Sequence, residues 1–376
     1  MEIITERTLC TGCGICAAVC PTGSIAMQAD EKGFLYPYIH ATTCCQCGRC
    51  THVCPVLHAA SVWQTQSNAP KVYAAWSSNQ DLRYVSTSGG IFSELAQDVL
   101  RNGGYVAGAR YDADFLVEHV LIDHIRDLPV LQQSKYIQSR SGSIYLEVEE
   151  KLREGRQVLF VGTPCQCAAL QRGLRKEYKQ LLLCDFICRG VNAPVAYLAY
   201  LHGLEEQYCS KIARVWFKNK KNGWTQFGTR IDFENGQTYF GDRYTDDFMY
   251  GFIRKNLNLY LRPSCTQCSF KGIGRPTDLT LGDFWGMSSQ SGPDLGVSIV
   301  LVHTKKGEQA FSGLSGIVRE EKNISDALSS NACLEGCVSP SAESAYFWQQ
   351  MQQGVPFHEI MQKVKNNPLR KDKRNE

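Results

Sequence analysis

The sequence of 376 residues contains no long apolar run. Its most hydrophobic stretches, "QLLLCDFI" and "GVSIVLV", are strand-sized, well short of the roughly 18 apolar residues that a membrane span requires. The opening "MEIITERTLC" lacks the apolar centre of a signal peptide, so the reading is a cytoplasmic chain without a membrane span. There is no excess of one charge: 40 Lys and Arg stand against 37 Asp and Glu, which gives no electrostatic case for a nucleic-acid partner. The one basic and aromatic segment, "WFKNKKNGW", is read as a solvated loop or a contact patch for an acidic donor. The basic end "KVKNNPLRKDKRNE" is read as a solvated, frayed terminus. No G-x-G-x-x-G fingerprint occurs, and no Ser–His–Asp arrangement is evident.

Cysteine, by contrast, is abundant, with 18 residues. In a long chain read as cytoplasmic, so many thiols suggest metal or cluster ligation rather than disulfides. Two stretches repeat one another. "CTGCGICAAVCP" holds Cys10, Cys13, Cys16 and Cys20, and "CCQCGRCTHVCP" holds Cys44, Cys47, Cys50 and Cys54. Both follow C-x2-C-x2-C-x3-C-P, the run that binds [4Fe–4S] cubanes in bacterial ferredoxins. Three thiolates on a tight turn reach one cubane, and the fourth ligates the other. Cys10, Cys13, Cys16 and Cys54 are therefore assigned to one cluster, and Cys44, Cys47, Cys50 and Cys20 to the second. Zinc sites built from two distant C-x2-C pairs fit these triples poorly. Between the repeats, "SIAMQADEKGFLYPYI" alternates about "DEKG" and predicts a hairpin. Cys45 is read as a non-ligand, and His52 and His58 as structural.

Residues 58–71, "HAASVWQTQSNAPK", read as a linker. "VYAAWS" reads as a strand. "STSGGIFSELAQDVLRNGG" reads as a helix with an apolar face at Ile91, Leu95 and Val99, capped by Thr87 or Ser88 and stopped at Gly103. "VLFVG", "TPC", a helix over "QCAALQRGLR" and the buried strand "LLLCDF" form strand–turn–helix–strand, the unit of a parallel sheet. Helices are expected over 342–365. The turn holding Cys165 and the loop holding Cys188 then share one sheet edge, where open α/β folds build their sites. The isolated pair Cys265 and Cys268 cannot complete a tetrahedral site alone. From spacing alone these four residues form a third cluster, a zinc site, or unrelated buried thiols. Cys184 reads as a core thiol, Cys167 as a bystander, and Cys333 and Cys337 as a helix-face pair of free thiols; Cys209 is unassigned.

The motifs "SGGIF", "QSKYIQS", "VGTPCQCAAL", "DFICRGV", "LRPSCTQCSF" and "DLTLGDFWG" occur in that order. With them the chain resembles the beta-subunit family of coenzyme F420 hydrogenase and dehydrogenase, in its form with a fused N-terminal ferredoxin domain. The resemblance implies that Cys165, Cys188, Cys265 and Cys268 ligate a third [4Fe–4S] cluster. It also implies FAD near the turns Ser88, Gly89, Gly90; Ser134, Lys135, Tyr136; and Gly162, Thr163, Pro164, with Asp283 lining the pocket. Helix-start amides, glycines and a lysine suit a pyrophosphate. The expected fold is α/β, α+β overall: a small ferredoxin-like domain (1–60), a linker (61–71), a mixed α/β flavin and iron–sulfur domain (72–345) and a helical tail (346–376). The expected function is an oxidoreductase relaying electrons between a low-potential carrier and a flavin hydride site. Its expected partners are ferredoxin or another oxidoreductase, and a small hydride donor or acceptor such as coenzyme F420. Two alternatives remain at this point: a non-catalytic electron-transfer subunit of a larger complex, and an iron–sulfur redox sensor.

Overall fold

Near-continuous apolar runs demand burial on both faces of a sheet, and the chain meets that demand with a nine-stranded sheet. The computed structural model describes residues 3–60, 69–174, 176–287 and 293–367. Two strands form the N-terminal hairpin, β1 (Ile25–Ala29) and β2 (Leu35–Ile39), paired antiparallel with Ile25 opposite Ile39. Next come β3 (Lys71–Ser77), β4 (Tyr105–Tyr111), β5 (Val117–Ile122), β6 (Ser139–Arg140), β7 (Val158–Gly162) and β8 (Leu181–Phe186). A small sheet uses β9 (Ile212–Asn219), β10 (Gly228–Phe233) and β11 (Thr238–Asp242). The chain then returns to the large sheet with β12 (Leu279–Asp283), β13 (Ser298–Val302) and β14 (Ile317–Lys322).

The large sheet runs β14-β3-β13-β12-β8-β7-β4-β5-β6. Its centre is parallel, β4 to β7 to β8 to β12, while β12–β13, β13–β3, β3–β14 and β4–β5 are antiparallel. The expected mixed α/β fold is thus present. One face is covered by the helix Ile91–Arg101, whose Ile91, Leu95, Ala96, Val99 and Leu100 are buried as the periodicity predicts. Gly103, at φ 71°, ends that helix in the left-handed region that favours glycine. The other face packs Val158, Phe160 and Leu183 against the helices Ile144–Arg153 and Pro164–Gly173.

The expected linker at 61–71 lies outside the described residues over 61–68, and Lys71 already opens β3. The basic end is not solvated at its start. Lys365 closes the helix Phe357–Lys365, donates to the Thr245 carbonyl at 2.9 Å and pairs with Asp247. The expected frayed part beyond Asn367 lies outside the described residues. With the helix Glu343–Gln352, this last helix buries Phe347, Phe357, Ile360 and Met361 against the helix Pro194–Tyr208 and the small sheet.

The N-terminal region shares its core with the large sheet. Ile15, Val19 and Val53 join the cluster around Leu170 and Tyr145, and Tyr145 Oη donates to the Cys13 carbonyl at 2.8 Å. Arg262, fully buried, donates to the carbonyls of Cys10 (3.0 Å) and Leu35 (2.9 Å) and to Gln138 Oε1 (2.8 Å). Its guanidinium also lies 4.4 Å from the centre of the Tyr36 ring. Removing it takes the donor from the Cys10 and Leu35 carbonyls in a dry interior, while Gln138 Oε1 keeps only the Leu35 N–H at 3.0 Å. Arg262→Ala is therefore expected to cost about 3–5 kcal/mol, and Arg262→Lys should not restore it, because one ammonium cannot span the same fork. The denaturant midpoint, followed by visible absorbance, measures both.

Candidate iron–sulfur and cofactor site

The two N-terminal cysteine runs fold alike because each carries a glycine at the same place. Gly14 (φ 79°) and Gly48 (φ 68°) are left-handed N-caps of the one-turn helices Ile15–Ala18 and Arg49–His52. Each turn gathers its first three thiols, and each helix carries the fourth across to the other turn. A cavity of about 60 Å³ is lined by Cys44, Cys47, Cys50 and Cys20, and one of about 20 Å³ by Cys10, Cys13, Cys16 and Cys54. The crossed grouping expected from the spacing is the grouping around these cavities. Cys45 is exposed at the rim of the first.

Burial pushes the Cys16 thiol up to about 12, with Cys10, Cys54 and Cys50 adding to the effect. Thiols this reluctant to ionise become good ligands once a metal charge stabilises the thiolate. Among the described residues no three cysteine sulfurs lie within 4.8 Å of one another. A tetrahedral zinc site, with Zn–S near 2.3 Å, needs sulfurs about 3.8 Å apart. The quartets are therefore spaced more widely than a single zinc ion allows.

The second gathering point is the carboxyl edge of the parallel strands. Cys165 sits in the first turn of the helix Pro164–Gly173 rather than in the preceding turn, where the spacing predicts it. Pro164 occupies the first helical position, and Thr163 and Gln166 close a capping box, which starts the helix earlier in the chain. Cys188 follows β8, Cys265 lies in the 3-10 turn Pro263–Gln267, and Cys268 follows it. The four thiols feel one another. Burial raises Cys165 strongly, and Cys268, Cys188 and Cys13 add to it. Burial raises Cys188 to about 12, with Cys265 and Cys268 contributing, and Cys265 to about 12, with Cys165 and Cys268 contributing. Gly190 permits this approach: a Cβ there would meet Leu261 Cδ1 at 2.4 Å and Cys265 Cβ at 3.0 Å.

Cys167 and Cys184 are fully buried in the apolar core, and Cys209 is exposed. Cys333 and Cys337 do not share a helix face. Cys333 lies in the 3-10 turn Ala332–Leu334 and Cys337 beyond it, because the helix Ile324–Ser330 has already ended.

The turns expected to meet a flavin converge at the same edge. Thr87 Oγ1 and Ser134 Oγ are 3.0 Å apart, which joins the turn Ser88, Gly89, Gly90 to the turn Ser134, Lys135, Tyr136. Two expectations for these turns are corrected. Neither Thr87 nor Ser88 caps the helix Ile91–Arg101. Gly90, at φ 92°, is its N-cap, because Ser88 Oγ donates to the Val297 carbonyl and Thr87 is taken up by Ser134. The Gly89 N–H is also engaged, donating to Ser298 Oγ at 2.9 Å. Gly89 instead serves close packing, since a Cβ would lie 2.4 Å from the Ala75 carbonyl oxygen. Gly162, Thr163 and Pro164 are occupied in starting the Cys165 helix, the Thr163 N–H donating to Gln166 Oε1 at 3.0 Å.

Lys135 is enclosed. Its Nζ donates to the carbonyls of Gln132 (2.8 Å) and Gln133 (3.3 Å), and desolvation lowers its pKa to about 7. Tyr136 packs against the rings of Phe217 and Phe252 at 5.5 and 5.3 Å. Its phenol is raised by burial and then by Asp283.

The segment "WFKNKKNGW" is solvated only at its tip, Lys221 and Asn222, whereas Lys218, Lys220 and Trp224 are buried. Lys218 pairs with Asp283, which also accepts from Trp224 Nε1 at 3.0 Å. Lys220 Nζ donates to the carbonyls of Arg83, Ser88 and Leu295, and desolvation, then Lys218, lowers it to about 6. The sequence reading missed these lysines because only the β9–β10 sheet folds them inward. It also missed His119, whose Nδ1 is 2.6 Å from Ser139 Oγ. Lys218, Lys220 and Arg83 lie together with Asp283 and Asp294.

Fold and site together define an iron–sulfur protein with a ferredoxin-type region packed onto an α/β body. Residues 9–57 match the 4Fe-4S dicluster domain, and residues 155–326 match the family described as the C terminus of the coenzyme F420 hydrogenase/dehydrogenase beta subunit. These two regions belong to those families, as the motifs indicated, and the chain is an iron–sulfur electron-transfer protein related to those beta subunits. It is 47% identical over 38 residues to an uncharacterized ferredoxin of Methanocaldococcus jannaschii, a match covering 10% of this chain and 49% of that protein. The chain thus spans about half the length of that curated relative. A chain of the F420-reducing [NiFe] hydrogenase complex from Methanosarcina barkeri aligns with a TM-score of 0.47 and 17% identity, over 80% of this chain and 92% of that one. Among the described residues no helix is long and apolar enough to cross a membrane.

Proposed function

We propose that the chain is an oxidoreductase relaying electrons between a carrier protein at its surface and a hydride site at the carboxyl edge of the large sheet. The observation that carries this reading is the order of the thiol quartets. Cys20, Cys44, Cys47 and Cys50 lie outermost, with Cys47 exposed. Cys10, Cys13, Cys16 and Cys54 come next, with Cys10, Cys16 and Cys54 buried. Cys13 is then close enough to Cys165 to raise its thiol. Each quartet would hold one [4Fe–4S] cluster. FAD beside Lys135 and Tyr136 would supply the change between single electrons and hydride.

The residues of this chain have distinct tasks in that reading. Lys135 neutralises phosphate charge. The aromatic wall of Tyr136, Phe217 and Phe252 excludes water from the ring system. Lys218 holds Asp283 in place as a polar contact at the pocket wall.

Anaerobic purification followed by iron and flavin analysis tests the reading, with about twelve irons and one flavin per chain expected. Eight irons without flavin would sink it. Reduction by reduced coenzyme F420, reduced ferredoxin and NADH, measured side by side, then identifies the donor among the classes proposed.

A further inference from the structure

The third quartet has a fifth thiol beside it. The Cys268 N–H donates to Cys337 Sγ at 3.2 Å, and the same sulfur lies 3.8 Å from the Cys268 carbonyl oxygen. The segment that carries Cys337 is held in place. Leu334 is fully buried, and its carbonyl accepts the Gly272 N–H at 2.8 Å. Lys271 Nζ bridges the carbonyls of Cys188 (2.5 Å) and Cys333 (2.9 Å), which ties a ligand loop of the quartet to the turn before Cys337. Cys337 itself is exposed, whereas Cys268 is partly enclosed. A thiol that touches both polar groups of a ligand residue's main chain, on an anchored segment, stands within a side-chain rotation of that ligand's position.

We propose that Cys337 is a reserve ligand for the third quartet, able to replace Cys268. The inference rests on the reading of Cys165, Cys188, Cys265 and Cys268 as cluster ligands. In the exchange, one Fe–S bond to Cys268 breaks and one to Cys337 forms. Cys337 gives its thiol proton to solvent as Cys268 takes one up, and no electron changes hands. Thiolate is the only ligand type required, so the exchange keeps the charge of the site constant. Cys333 is not part of it: its sulfur faces Arg189 Nη1 at 3.9 Å.

The test uses the full chain, purified anaerobically as four variants: Cys268→Ala, Cys337→Ala, the double variant, and Cys165→Ala. The first two should keep about twelve irons, Cys268→Ala with an altered EPR spectrum after reduction, and the double variant should fall to about eight. A fall to about eight in Cys268→Ala alone, or twelve irons in the double variant, overturns the proposal. Cys165→Ala separates this from the reading beneath it. About eight irons there means that the quartet stands, while twelve means that the third cluster, and with it the reserve ligand, is wrong. Alkylation read by mass spectrometry gives a second measure independent of iron yield. Cys337 should be labelled by iodoacetamide in the wild type and protected in Cys268→Ala; equal labelling in both overturns the proposal.

Discussion

Cys165→Ser is expected to lose about four irons per chain, leaving about eight, while Cys167→Ser keeps the full complement. The two residues are neighbours in sequence but not in direction. Two steps along a helix turn the side chain by about 200°. Cys165 faces the thiols of Cys268 and Cys188, and Cys167 faces inward, where its sulfur lies 3.5 Å from the Cys184 carbonyl and 3.8 Å from that of Gly162. A serine hydroxyl at 167 can donate to the same carbonyls, so the buried site stays satisfied. A serine at 165 removes a thiolate from a site that needs four. Iron assay and visible absorbance on anaerobic protein measure both. Equal iron content in the two variants would show that Cys165 ligates nothing.

Lys135→Met should weaken flavin binding by roughly 10- to 100-fold, the worth of a charge-assisted hydrogen bond in a desolvated site. Its pH dependence is the sharper signature. Desolvation holds the Lys135 ammonium down to about 7, so above that pH the free protein presents a neutral amine. An anionic ligand favours the ammonium, and binding therefore takes up a proton. Affinity should be level just below pH 7 and fall by up to about tenfold per pH unit above it. The groups around Lys135 do not remove this break. Its Nζ lies 5.6 Å from the Tyr111 ring, and His119, held near 4 by burial, stays neutral throughout the range. The same depression acts on folding without ligand. Between pH 7 and the ordinary lysine range the unfolded chain keeps a proton that the native chain has lost, so the Lys135 contribution to stability rises with pH. Flavin titration of the cofactor-free protein from pH 6 to 9, monitored by fluorescence, measures the affinity. An unchanged profile in Lys135→Met would place the anion elsewhere.

Local spacing made much of the candidate site legible. The repeated C-x2-C-x2-C-x3-C-P run encodes its own turns, because glycines at equivalent places, Gly14 and Gly48, allow the left-handed step that starts each short helix. The hairpin about "DEKG", the apolar face of Ile91–Arg101 and the pair β7 and β8 follow from periodicities within a few residues. The errors arose where a distant partner decided the outcome. Ser298 and Val297, some two hundred residues away in sequence, engage Gly89 and Ser88 and shift the helix start to Gly90. "WFKNKKNGW" has the composition of a surface loop, and its Lys218 and Lys220 are buried because Asp283 and three main-chain carbonyls satisfy them.

What the sequence determined by itself, then, was the cluster chemistry of the N-terminal region, the class of fold, and the edge of the sheet at which a third thiol group gathers. These depend on short-range spacing and on the strand–turn–helix order. Only the tertiary structure decided that Arg262 binds the ferredoxin-like region to the body, that Lys218 and Lys220 are buried, and that Cys337 stands beside Cys268. Each of those is a meeting of segments far apart in the chain. It is selected by the requirement that buried polar groups be paired, a requirement that acts only once the chain has closed around them.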